Sequence, residues 1–283
     1  MSPINTNEFL IYLLVIVIII LSMILLKNKV HSKFKKIVVI QYLLFFGLFS
    51  GLLYYEWLNF RNNNTNLSET KEDKVVVNGE VLLKDSIIIN APIISQYPEL
   101  PRGCEVTSLA MLLQFVEVNT NKFALARLVK KNDEPLYREH GVVHWGDPNE
   151  GFNGDMYSTE NPGYGVYNKP IRELAESFLG DRVVDFTGSE FTEVMKYLSQ
   201  GMPVWIVTNK TYKKLPDSSF ETWETPNGPV QTTIELHSVL VTGYDNDFIY
   251  FNDPLSGVQN MKANKVDFIE AWEQMGKQAI SIN

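Results

Sequence analysis

Cysteine is nearly missing: Cys104 is the single one in 283 residues. Its isolation excludes an intramolecular disulfide and a cysteine-built zinc site. Histidine is sparse as well, with only His31, His140, His144 and His237. The chain has no H-E-x-x-H metalloprotease signature and no G-x-x-x-x-G-K-[ST] phosphate loop. It shows neither an internal repeat nor a low-complexity segment. Positive charge is in deficit, with a net charge of -8. Residues 1–60 hold five lysines against Glu8 and Glu56, so the acidic balance falls on the residues beyond them. An acidic remainder argues against nucleic acid or anionic lipid as its partner. It suits an ordinary soluble domain, or one that meets a cationic peptide.

Long apolar runs are confined to the first sixty residues. Phe9 to Leu26 is free of charge, and Ile37 to Leu58 is interrupted only by Gln41, a few small residues and Glu56. Each is near the length that spans about 30 Å of hydrocarbon as a helix. A signal peptide fits the first run poorly, because no basic segment precedes it and no small-residue cleavage site follows. The intervening Lys27, Lys29, Lys33, Lys35 and Lys36 mark a cytoplasmic loop. Tyr54, Tyr55 and Trp57 suit the outer interface. The expectation is a tail at 1–8, a transmembrane helix at 9–26, a basic loop at 27–36 and a second transmembrane helix at 37–58. This multi-pass anchor in the cell membrane would leave everything beyond it outside the cytoplasm.

Residues 59–87 read as a polar linker with a short hairpin, signalled by Asn78-Gly79 between alternating apolar residues. A globular domain is expected over 88–283. From Cys104 the apolar residues Val106, Leu109, Ala110, Leu113 and Val116 recur at helical spacing. A shorter helix is expected over Phe123–Val129. The segment from Lys131 to Asn168 is rich in Gly, Pro, Asp and Asn and too long to be an idle loop. Pro170 opens a helix closed by Gly180, and Ser189 is expected to cap one that ends at Gly201. Strands are expected at Pro203–Thr208, His237–Tyr244, Phe248–Asn252 and Gln278–Ile282, with Asp245-Asn246-Asp247 as a hairpin turn. Asn264 is expected to cap a last helix. Helices first and antiparallel strands later make an α+β domain.

Cys104 stands at a loop-to-helix junction, in Leu100-Pro101-Arg102-Gly103-Cys104-Glu105. Position alone leaves two readings, a small buried hydrophobe or a nucleophile. Exposure outside the cytoplasm would make an idle thiol a liability, which favours the second. His237 begins one strand and Asp253 ends the next, so a hairpin turning at 245–247 brings both to the same end. Counting from the turn gives unequal arms, so a bulge or offset is needed to align them. Aspartate holding one imidazole nitrogen aims the other at a thiol. Helix N-terminal amides and a nearby imidazolium favour a thiolate. The Cys104 N–H and Gln96, eight residues upstream, are candidate oxyanion donors. His31 belongs to the basic loop, on the other side of the membrane. His140 and His144 invite a metal reading, but Gly141 and a Gly/Pro-rich context argue against a helix, and no metal or cofactor is expected.

Taken together, Gln96, Gly103-Cys104-Glu105, the run His237-Ser238-Val239-Leu240-Val241-Thr242-Gly243-Tyr244-Asp245 and Asn252-Asp253-Pro254 resemble the papain-like (clan CA) cysteine peptidases of family 39. More narrowly, the chain is similar to the stand-alone bacterial branch related to bacteriocin double-glycine leader peptidases. His144-Trp145-Gly146-Asp147-Pro148, Gly163-Tyr164-Gly165-Val166-Tyr167 and Gly201-Met202-Pro203-Val204-Trp205 carry the same likeness. The resemblance implies a papain-like fold with Cys104 as nucleophile, His237 as base, Asp253 as orienter and Gln96 in the oxyanion hole. Leader peptidases place an acidic residue before the cysteine and glycine after it. Here Gly103 precedes and Glu105 follows, and the glutamine is farther upstream. Without a phosphate loop, leader cleavage coupled to ATP-driven export does not carry over. The expected function is hydrolysis of peptide bonds, with a peptide or protein as substrate. The alternatives are a cell-wall peptide amidase or endopeptidase, or a non-catalytic papain-like binding module.

Overall fold

The computed structural model describes residues 39–40, 76–77 and 80–283. The chain divides into two compact units, Met1–Asp73 and Lys74–Asn283. In the first, Val39 and Ile40 are helical and exposed. The expected spans at 9–26 and 37–58 and the basic loop at 27–36 otherwise lie outside the described residues, as does most of the linker. Among the described residues, no helix is long and apolar enough to cross a membrane.

The second unit opens with an antiparallel pair, β1 (Val76–Val77) and β2 (Glu80–Val81), on either side of the Asn78-Gly79 signal. Strand β3 (Ile87–Ile88) precedes helices α1 (Cys104–Phe115) and α2 (Lys122–Leu128). Short strands β4 (Lys131–Asn132), β5 (Tyr137–Glu139), β6 (Val142–His144) and β7 (Phe152–Asn153) follow. Next come α3 (Asn168–Leu179), β8 (Val183–Asp185), α4 (Phe191–Ser199) and β9 (Val204–Asn209). The remainder is strand-rich: β10 (Glu221–Thr225), β11 (Gly228–Thr232), β12 (Leu236–Tyr244), β13 (Phe248–Asp253) and β14 (Val258–Asn264), then α5 (Lys265–Gln274) and β15 (Ala279–Ile282). This is the expected α+β order.

The main sheet runs β14-β13-β12-β9-β15-β8, with β3 also paired to β12. All of its pairings are antiparallel. Side chains alternate between its faces with the period of two that a strand imposes. Trp205, Val207, Leu240 and Ile280 join the core built on α1, α2 and α3. Val204, Ile206, Val239 and Val241 join the core beneath α4 and α5, with Phe191, Phe268 and Trp272. Both faces are therefore covered, and every residue of β12 is buried. A doubly covered strand reads as a continuous apolar run rather than an alternation.

The hairpin between β12 and β13 turns on Asp245, whose Oδ1 accepts from the amides of Asp247 and Phe248. Its register shifts between Val241 and Gly243, which supplies the offset the two unequal arms required. Gly243 is needed there, because a Cβ would collide with the Ile87 carbonyl of β3. Asn264 caps α5, accepting from the Val266 and Asp267 amides. Two differences from the sequence reading stand out. Helix α4 is capped by Glu190, whose side chain makes no cap bond, and Ser189 instead closes a turn onto Phe186. In the 131–168 segment, where no strand is expected from the sequence, four short strands form. Its β5–β6 hairpin joins β10 and β11 in a second, four-stranded sheet, with β6 and β10 parallel.

Candidate active site

The approach to α1 fixes where its first residue sits. Leu100 N–H donates to Gln96 O and Gly103 N–H to Leu100 O, each at 2.9 Å. These two turns fold eight residues of chain back on themselves. Gly103 fits because any Cβ would lie 2.6 Å from Leu100 Cβ. Cys104 then opens the helix, with no side chain capping the N-terminus. Two buried hydrogen bonds seat α1 on the sheet, from Ser108 Oγ to Ser238 O and from Trp205 Nε1 to Glu105 O, both 3.0 Å.

His237 and Asp253 meet directly, with Nε2 2.7 Å from Asp253 Oδ1. Continuing the ladder from Leu240 opposite Asn252 puts Val239 opposite Asp253. His237 lies two residues from Val239, so both side chains leave one face of the sheet as diagonal neighbours. Nε2 is thereby engaged with the carboxylate, and Nδ1 is the other ring nitrogen. Asp253 also accepts from the Leu255 amide on Oδ1 and the Ser256 amide on Oδ2. Burial by itself would raise this carboxyl, but the His237 hydrogen bond and charge, with those amides, hold it well below the usual carboxylate range. The Tyr212 ring stands 6.1 Å from the His237 ring. Its phenol is pushed up by burial and by the facing Asp253 carboxylate.

Gln96 is buried beside this pair, its amide N–H donating to the carbonyl of Pro254, the residue after Asp253. Its side-chain Nε2 donates to Pro101 O at 2.8 Å, which occupies one of two amide hydrogens. The buried Lys122 ammonium, at the start of α2, clamps the same loop. It donates to Ser95 O at 2.7 Å, Gln96 O at 3.2 Å and Glu99 Oε2 at 2.8 Å.

Glu105 is the residue whose part the sequence did not suggest. It is fully buried, yet it bears a carboxyl group. Oε1 accepts from the Val166 amide at 3.0 Å, and Oε2 accepts from Cys104 Sγ at 3.3 Å. Gly165 permits this approach, since a Cβ there would collide with Oε1. Burial raises the Glu105 carboxyl to about 7 against the lowering effect of its hydrogen bonds. The same neighbourhood acts on the sulfur. Burial first, and then the Glu105 charge and hydrogen bond, push the Cys104 thiol well up. The Ser238 backbone and Lys210 pull it down less strongly. These effects act against the helix-terminus preference for a thiolate.

The structure joins His237 to Asp253 and sets Cys104 against Glu105 and the Ser238 backbone. It lays Gln96 along the Pro254 edge. His140 and His144 belong to the second sheet. His140 takes a left-handed φ of 49° in the β5–β6 turn, and His144 stacks on Tyr137 with ring centres 4.6 Å apart. Tyr212 had no sequence signal, because it lies in a non-periodic loop. Glu105 had one, an acid where the leader peptidases carry glycine. Burial turns that acid from a helix-start residue into a neighbour of the sulfur.

The family model described as "Peptidase_C39 like family" matches residues 88–280. An uncharacterised protein of Bacillus subtilis (strain 168), YvpB, is 44% identical over 185 residues, covering 65% of this chain and 70% of its own length. A crystal structure from Bacillus anthracis, assigned as a C39-like peptidase, superposes with a TM-score of 0.66 at 44% identity. That alignment covers 71% of this chain and 98% of the other.

Proposed function

The chain belongs to the Peptidase_C39-like family, and from that membership we propose that it is a cysteine peptidase with Cys104 as its nucleophile. The observation that carries the reading is the buried His237–Asp253 pair, whose 2.7 Å bond engages Nε2. In this reading Nδ1 takes the Cys104 proton as sulfur attacks the scissile carbonyl. The Cys104 N–H and the second Gln96 amide hydrogen receive the oxyanion. The imidazolium gives its proton to the departing amine, leaving an acyl-enzyme. Water then attacks, passes a proton to His237 and releases the carboxylic acid as the thiol is restored. Asp253 keeps the imidazole oriented and balances its charge throughout.

In this reading the substrate is a peptide or protein, and the apolar runs at 9–26 and 37–58 hold the domain at the outer face of a membrane. The positive-inside pattern of Lys27–Lys36 supports that placement. Cys104 is 8% exposed, so a small alkylating agent is the suitable probe. Wild type, Cys104→Ala and His237→Ala are compared for labelling and for turnover of a peptide library. Turnover is expected to vanish in both variants and labelling to vanish in the first. Turnover equal in all three ends the reading.

A further inference from the structure

The buried acid beside the nucleophile has no part in that mechanism. Glu105 is held at both ends: Trp205 Nε1 binds its carbonyl and the Val166 amide binds Oε1. Oε2 is thereby left directed at Cys104 Sγ, 3.3 Å away. No cation pairs with this carboxyl among the described residues. The titratable groups around it are few. Cys104 comes from its own helix. Tyr164 and Tyr167 come from the segment packed over it, and burial keeps both phenols neutral. From β12, His237 lies one residue along from Ser238, whose backbone acts on the sulfur, and Lys210 acts on the sulfur from the end of β9.

We propose that Glu105 governs the reactivity of the nucleophile: its ionised carboxylate keeps Cys104 protonated, and its protonated form donates to the sulfur and stabilises the thiolate–imidazolium pair. The inference rests on the reading of Cys104 as nucleophile. With Glu105 ionised, moving the proton from Sγ to His237 sets two anions side by side in a buried site. With Glu105 protonated, the same transfer creates an O–H···S⁻ bond to a charged acceptor, among the stronger kinds. The proton travels only between Sγ and Nδ1, and Glu105 keeps its own. The carboxyl titrates at about 7, so reactivity is set near neutrality and falls away on the alkaline side.

The sole cysteine makes the test direct, because all alkylation reports on Cys104. Iodoacetamide rates are measured on the full chain, wild type and Glu105→Gln, at about pH 5.5 and about pH 8. Glutamine keeps an oxygen for the Val166 amide and offers the sulfur a permanent donor. The two proteins are expected to react alike at the lower pH. At the higher pH, one unit above the carboxyl's own value, the variant is expected to react about tenfold faster. The same ratio at both pH values, or a slower variant at the higher one, overturns the proposal. Should Glu105→Gln fail to fold, pH-difference infrared spectra of the wild type decide. A protonated-carboxyl band is expected to titrate near neutrality and to shift when Cys104 is alkylated, and absence of that band overturns the proposal. Full peptide turnover by Cys104→Ala would instead end the nucleophile reading while leaving the alkylation ratio intact.

Discussion

His237 and Asp253 form a bonded pair in which neither side chain is more than 3% exposed. A charge-assisted bond in such surroundings is strong while both partners remain, and costly to break from one side. Asp253→Ala strands the imidazole nitrogen and should destabilise the fold by about 1–3 kcal/mol, read from denaturant midpoints. Asp253→Asn keeps an acceptor but loses the charge facing the imidazolium. A loss of about 10- to 100-fold in kcat, with KM little changed, is expected for a neutral bond replacing a charged one. Steady-state kinetics on a cleaved peptide measure this, and an unaltered kcat would remove Asp253 from the site.

Glu105 should also leave a mark on stability. Its carboxyl is raised in the folded chain from 4.5 to about 7, so the folded state binds more protons than the unfolded state between those values. Stability therefore falls as pH rises across that window and is level above it. Below about pH 4 Glu105→Gln and wild type should differ little. Above about pH 7 the variant should gain on the order of 3 kcal/mol relative to wild type. Urea titrations at several pH values provide the check.

Gly165→Ala puts a methyl group against Glu105 Oε1 and 2.5 Å from Leu236 Cδ2. The segment over the sulfur must move or the carboxyl must turn away. Destabilisation by about 1–3 kcal/mol is expected. If the carboxyl turns away, adding Glu105→Gln to Gly165→Ala should change the alkylation rate at alkaline pH less than Glu105→Gln does alone.

Lys122→Met removes three bonds to the loop that carries Gln96. Gln96 then loses its fixed position, and in the proposed mechanism it is an oxyanion donor, which works only when fixed. A fall of about tenfold or more in kcat is expected, with a smaller change in KM. A change confined to thermal stability would make Lys122 purely structural.

The positions of Cys104, His237 and Asp253 were legible because each stands at the end of a strongly patterned element. The helical spacing after Cys104 and the strand–turn–strand of 237–253 are local signals, and the register bulge follows from counting residues. The β5–β6–β10–β11 sheet was not legible. Its strands are three to five residues long and join residues far apart in sequence, so no local period marks them. The cap of α4 was misread because Ser189 is a good capping residue, yet its amide closes the turn onto Phe186 and the helix begins one residue later than it could cap. Glu105 was visible as a letter but not as a buried group. Only the packing of residues 163–167 over α1 gives it that environment.

Strand β12 runs between two helical layers, with a bonded neighbour along each edge. Amides so placed exchange with solvent only in the largest openings of a protein. His237 therefore belongs to the part of the domain that opens last, and the second sheet, with its short and partly exposed strands, to a part that opens sooner. On warming, hydrogen exchange should reach β5, β6, β10 and β11 while the histidine–aspartate pair still holds. The domain then has a stage at which its histidine–aspartate pair survives the loosening of its second sheet.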